Sequence, residues 1–272
     1  MLTICRENAI GKRMLLAAAA VVLAASVSAC ADRNLTTGSV DRGSGKAIAT
    51  MSSPELEKAA DSLGAAYAKN PKNKVTALRY ANVLQMNGRN EQALAVMRKL
   101  AIDYPEERDV LSAYGKSLAG VGQFEPALDA IRRAQTPEYP DWKLISAEGA
   151  ILDQLGQKDE ARIRYRRALD MQPNEPSVLS NLGMSYVLEG DLKTAETHMR
   201  AASQAPGADS RVRQNLALVI GLQGRFEEAE TIARQELATD QAEANVQYLR
   251  SMLSQQNAWK QLKDDEQETN TN

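Results

Sequence analysis

The stretch "PSVLSNLGMSYVLEGDLKTAETHMRAASQAPGAD", residues 176–209, decides how the rest of the chain is read. Its Gly190 and Ala195 both recur at a fixed spacing of 34 residues: glycine stands at 88, 122, 156, 190 and 224, alanine at 93, 127, 161, 195 and 229. Two independent positions thus hold one register through the units 74–107, 108–141, 142–175, 176–209 and 210–243. Each unit reads as two helices, A and B, joined where the glycine stands, because a residue without Cβ tolerates the positive φ that ends a helix. The alanine five residues on belongs to helix B and faces a small residue of helix A: Ala81, Gly115, Gly149, Gly183 or Ala217. Small against small lets the two helices approach closely. Pro105, Pro140, Pro173 and Pro206 fall at or near the unit ends, where proline blocks continuation of helix B.

A helix-turn-helix unit of this period resembles the tetratricopeptide (TPR) repeat. The resemblance implies an all-α fold, a TPR superhelical solenoid of about five to six repeats with a C-terminal capping helix. Composition agrees: the chain is rich in helix formers, and aromatic residues make up only 4%. The expected core adds Tyr80, Leu84, Met97, Tyr114, Leu118, Ile131, Leu152, Tyr165, Leu182, Tyr186, Met199, Leu216, Ile220 and Phe226. Glu148 takes a slot that is usually apolar in the family, so the third repeat is expected to pack less well there. Working backwards in register, residues 54–69 read as the second helix of a degenerate unit. The stretch "QAEANVQYLRSMLSQQ" from 241 reads as a solvating cap, which a terminal repeat needs because it cannot bury its own open face. The array is expected over 54–258, and 259–272 as a disordered acidic tail.

The N-terminal region carries a different signal. Met14 to Ala29 is apolar but shorter than the roughly 20 residues a spanning helix needs. Arg6, Lys12 and Arg13 precede it, so residues 1–29 read as a secretory signal. "VSAC", residues 27–30, resembles the lipobox of bacterial lipoproteins, which implies that Cys30 is lipidated and becomes the mature N-terminus; a plain signal with a chance cysteine is the alternative. By resemblance to enterobacterial sorting, Ala31 implies the outer membrane. Residues 30–53, rich in Gly, Ser and Thr, read as a flexible tether spanning roughly 25–30 Å.

The other cysteine, Cys5, would leave with the signal, so the mature chain is expected to hold no disulfide and no cysteine metal site. Net charge is −2 for the whole chain, and the basic leader makes the remainder somewhat more acidic. That balance exerts no general pull on nucleic acid. The chain offers no phosphate loop, and its single histidine, His198, is expected as an exposed residue on the outer face of a helix B. The reading is therefore of a non-enzyme with no catalytic residues, no metal and no cofactor.

Binding is what the resemblance implies instead. Its A-helix positions place Ser177, Ser180, Asn181, Met184, Val187 and Leu188 on the concave side of the fourth unit, and Arg211, Gln214, Asn215, Leu218, Gly221 and Leu222 on that of the fifth. The partner-binding groove is expected from Asn181, Met184, Leu188, Arg211, Gln214, Asn215, Leu218 and Leu222. Asn181 and Asn215 resemble the asparagine ladder with which some TPR proteins hold a peptide backbone, since a carboxamide both donates and accepts. The apolar members either floor this groove or pack between repeats. Finally, "GADSRVRQNLALVIGLQGRFEEAETIARQEL", 207–237, with "ANVQYLRSML" from 244, is similar to the C-terminal part of TadD-like lipoproteins of the tight-adherence (Tad, or Flp) pilus system. That likeness implies an outer-membrane scaffold on the periplasmic face, assembling pilus machinery with a secretin or other pilus components as protein partners. A general periplasmic adaptor or chaperone for envelope biogenesis is the alternative.

Overall fold

The computed structural model describes residue 48, residues 51–136, residue 138 and residues 140–269. The expected signal 1–29, the Cys30 anchor and nearly all of the tether 30–53 lie outside them. Among the described residues there are twelve helices: α1 (Ser53–Lys69), α2 (Lys74–Met86), α3 (Asn90–Asp103), α4 (Arg108–Gly120), α5 (Phe124–Ala134), α6 (Trp142–Gln154), α7 (Lys158–Met171), α8 (Pro176–Glu189), α9 (Leu192–Gln204), α10 (Ser210–Leu222), α11 (Phe226–Ala233) and α12 (Thr239–Thr269). None is long and apolar enough to cross a membrane. The chain forms two compact units, one ending at Arg164 and the other beginning at Tyr165, inside α7.

Local chemistry places the helix ends. Asn73, Asp191 and Asp209 cap α2, α9 and α10 by accepting from the backbone N–H of Thr76, Thr194 and Val212 at 2.9, 3.1 and 3.0 Å. Ser52 and Glu55 form a capping box at the start of α1. The five glycines of the 34-residue register all have positive φ, from +71° at Gly88 to +92° at Gly190. Each A helix stops there and the chain reverses into helix B.

In the first unit α1 packs on α2, and α2 to α6 pack each on the next. Its core joins Ala77, Ala81 and Leu84 of α2 to Ala93, Met97 and Leu100 of α3 and Val110 of α4. In the second unit α8 to α12 pack in succession, while the A helices α8 and α10 also touch each other directly, as do α10 and α12. The small-residue contact is real in both units. A Cβ added to Gly115 would lie 2.8 Å from Ile131 Cγ1 and 3.2 Å from the Ala127 carbonyl. One added to Gly183 would lie 3.0 Å from Met199 Cε and 3.2 Å from the Ala195 carbonyl. All five helix B alanines are buried.

Three expectations need correction. Helix α11 is only 8 residues long, ending at Ala233, and the chain turns there to start α12 at Thr239, two residues before the expected cap. Helix α12 then runs on to Thr269, so residues 259–269 are helical rather than a disordered tail. No glycine or proline interrupts 239–269, and the run is rich in good helix formers, so nothing in the backbone stops a helix once packing has nucleated it. Glu148 does not loosen the third repeat. It is 4% exposed, and its carboxylate accepts from Arg132 Nε at 2.9 Å and Gln135 Nε2 at 3.0 Å, with Arg164 Nε at 3.2 Å.

Candidate protein-binding face

The A-helix face of the second unit is built from α8 and α10, with α12 packed against α10. Helix α8 begins with Pro176 at its first turn, where the missing N–H costs nothing, and ends on Gly190. These ends set which side of the helix meets α9. The buried side carries Val178, Leu179, Leu182 and Gly183. Helix α10 repeats the arrangement with Val212, Leu216, Ala217 and Ile220 buried. Side chains at unit positions 6 and 13, Asn181 and Leu188 on α8 and Asn215 and Leu222 on α10, lie half-buried outside that core.

The sequence-predicted groove residues separate into two groups on this face. Leu188, Asn181, Arg211, Asn215, Leu218 and Leu222 are half-buried, and Gln214 is exposed. Met184, at 5% exposure, is core, as is the neighbouring Val187 at 8%. For both, burial favours the alternative that the apolar members pack in the interior over a place in the groove floor. Gly221 is likewise covered: Leu249 of α12 sits where its Cβ would be. What remains open to a partner is the strip of Leu188, Leu218 and Leu222 with the adjoining amides.

The asparagine ladder is partly engaged within the protein. Asn215 Nδ2 donates to Ser180 Oγ at 3.1 Å, and Ser180 Oγ in turn faces Met199 Sδ at 3.5 Å. This relay ties α10 to α8 and α9. A carboxamide held by its nitrogen has a fixed orientation, with its oxygen remaining as an acceptor for a peptide N–H. Gln214 is held at the edge by a bond to Ser210 Oγ at 2.9 Å. Arg211 pairs with Asp209 at 3.5 Å.

Charges in this unit collect on the helix B side. Glu196 of α9 accepts from Arg200, Gln223 and Arg225, and Glu228 of α11 accepts from Arg200 and Arg225. Burial alone would raise the Glu196 carboxyl, but the hydrogen bonds from Arg225, Gln223 and Arg200 outweigh it and bring its pKa down to about 2. His198 also departs from its expected exposed position. Its ring stacks on Tyr186 with centroids 5.4 Å apart, while Arg166 donates to the Tyr186 hydroxyl at 3.3 Å. Burial first, and the Arg166 charge second, lower the imidazole pKa. Both groups are titratable, and their contacts tie helices together. Among the described residues no cluster of His, Cys, Asp or Glu could hold a metal ion.

Tetratricopeptide repeat profiles match residues 53–116, 147–209 and 210–235. The chain belongs to the tetratricopeptide repeat family. TPR proteins mediate protein–protein interactions through surfaces that stacked repeats present. No curated protein matches this TPR chain in sequence. Similar solved structures include TTC0263, a thermophilic TPR protein of Thermus thermophilus, with a TM-score of 0.57 and 20% identity over 64% of this chain and 96% of that one. PilW, a widely conserved type IV pilus biogenesis factor, superposes with a TM-score of 0.56 and 21% identity over 74% of this chain and 91% of its own. The Cut9–Hcn1 assembly of the APC/C gives 0.57 and 19% over 71% of this chain, which spans only 38% of the matched chain. Identities of this size show a common fold.

Proposed function

We propose that this TPR protein is a lipid-anchored scaffold of the outer membrane that assists assembly of Tad/Flp pilus machinery, holding a secretin or another pilus component on the A-helix face of its second unit. The observation that carries the reading is that face: half-buried leucines on α8 and α10 lie beside oriented carboxamides, with the charged network kept to the other side. A surface of this kind suits a polypeptide partner better than a small charged substrate. The fold likeness to PilW supports a pilus context, and within it the resemblance of 207–237 to TadD-like lipoproteins favours the Tad system. "VSAC" at 27–30 supports acylation of Cys30, with the periplasmic face of the outer membrane as its place. Several acyl chains on one residue anchor far more firmly than the marginal single chain.

The test is an affinity purification of tagged wild type and of Cys30→Ala from detergent-solubilised envelopes. Recovery of a secretin with other pilus components, reduced in the Cys30→Ala form, is the expected result. Recovery of outer-membrane assembly or cell-wall factors in their place would replace the pilus role with that of a general envelope adaptor.

A further inference from the structure

We infer that one arginine per repeat, at the same place in each helix B, couples that repeat to the helices that follow it, and that this coupling is left open in the first repeat. The sequence carries the register: Arg98, Arg132, Arg166, Arg200 and Arg234 stand 34 residues apart, as regularly as the turn glycines. They lie toward the ends of α3, α5, α7 and α9 and, as its C-terminal cap, of α11. A guanidinium on a long stem at that place has the reach and the forked donors to bond two helices at once.

All but the first do so. Arg132 Nε donates to Glu148 of α6 at 2.9 Å. Arg166 Nη2 donates to the Tyr186 hydroxyl of α8 at 3.3 Å. Arg200 Nη2 donates to Glu228 of α11 at 2.7 Å, and Arg234 Nη2 to Glu243 of α12, also at 2.7 Å. Arg200 and Arg234 each hold a second carboxylate four residues earlier in the chain, Glu196 and Glu230, which themselves stand 34 residues apart.

Arg98 is exposed, and among the described residues no acceptor meets it. The register explains why. Counted forward from Arg98 by the steps that the other arginines span, the acceptor places fall on Glu107, Tyr114, Leu118 and Pro126. Glu107 is taken by Lys74 at 3.0 Å, Tyr114 packs against the core of α2 and α3, and the side chains of Leu118 and Pro126 accept no hydrogen bond. Apolar packing holds this junction instead, with Val110 of α4 inside the α2–α3 cluster.

A link between two repeats exists only while both are folded, so it adds to the nearest-neighbour term and not to either repeat alone. Its strength follows the acceptor. Glu148 is buried, so loss of Arg132 strips a partner from an anion held out of water. Glu228 and Glu243 are 39% and 46% exposed, which makes their pairs weaker, and Tyr186 is a neutral acceptor at a longer distance. A face spread over α8 and α10 acts as one surface only while its helices open together.

Native-state hydrogen exchange of the full chain, resolved helix by helix, reads this coupling. Arg132→Gln should speed exchange of α6 about tenfold while α2 and α3 change by less than about twofold. Arg234→Gln should speed α12 by about threefold. Arg98→Gln should leave α4 at the wild-type rate. If Arg132→Gln does not fold, Arg132→Lys, which keeps the charge without the fork, should give a smaller rise confined to α6. Equal acceleration from α2 through α6 would mean lost stability without coupling and would overturn the inference. An unchanged α6 would do the same, as would an α4 that responds to Arg98→Gln as strongly as α6 responds to Arg132→Gln. None of these rates involves a partner, so they report on the coupling whether or not the pilus reading holds.

Discussion

The carboxylate of Glu148 lies 2.9 Å from Nε of Arg132, so that a charged residue in an apolar slot of the third repeat is held by the second helix of the repeat before it. Tyr80, Tyr114, Leu182 and Leu216 fill the same slot in the other repeats. Here an ion pair replaces packing as the link between neighbouring units.

Removing one partner leaves the other uncompensated. Arg132→Ala should destabilise the protein by about 1–3 kcal/mol, the arginine's own exposure, the remaining hydrogen bond from Gln135 and the ion pair with Arg164 keeping the cost below that of a fully buried pair. Glu148→Leu should be close to neutral, because leucine suits the slot and no buried anion is left behind. Urea unfolding of the single and double variants checks both, and a large loss in Glu148→Leu would show the slot has no room for an apolar side chain.

Close approach between helices A and B predicts a second loss. Gly115→Ala should cost about 1–3 kcal/mol, since its methyl would meet both Ile131 Cγ1 and the rigid Ala127 carbonyl. Adding Ile131→Ala should relieve part of this clash, so the double variant should be less destabilised than the two singles combined. Strict additivity in a double-mutant cycle would contradict the contact.

Acid should loosen the second unit through Glu196. Its folded pKa of about 2 lies below the ordinary 4.5, so the unfolded chain takes up its proton first as pH falls. Its contribution is therefore complete above pH 4.5 and is lost as pH drops toward 2. Glu196→Gln should be less stable than wild type at neutral pH, and the gap should close across that window in denaturant midpoints measured against pH.

His198 gives a direct spectroscopic check, because it is the only histidine in the chain. Burial and Arg166 hold its folded pKa below 6.5, so folding favours the neutral ring. This contribution is present above pH 6.5 and lost as pH falls through the lower folded value. Its ring proton resonances in NMR should titrate with a midpoint below 6.5, and Arg166→Ala should move that midpoint upward. A midpoint at or above 6.5 would mean the ring is solvated and not stacked on Tyr186.

The repeat was legible because its signals are local: a glycine that can take positive φ every 34 residues, and a small residue wherever two helices must touch, identify the turns and the buried faces without knowledge of the rest. The candidate face was legible only in part. Position alone put Met184, Val187 and Gly221 in a groove with Leu218 and Leu222, since one helical period cannot tell an open flank from one covered by the next helix. The sequence by itself determined the helix pairs, their order and their core alanines. Only the tertiary structure decided that Asn215 is held by Ser180, that Glu148 is buried yet compensated, that Leu249 closes Gly221, and that Tyr248 stays exposed. Those outcomes depend on which side chains distant in sequence compete for the same space and the same hydrogen bonds, and that competition exists only after the helices have packed.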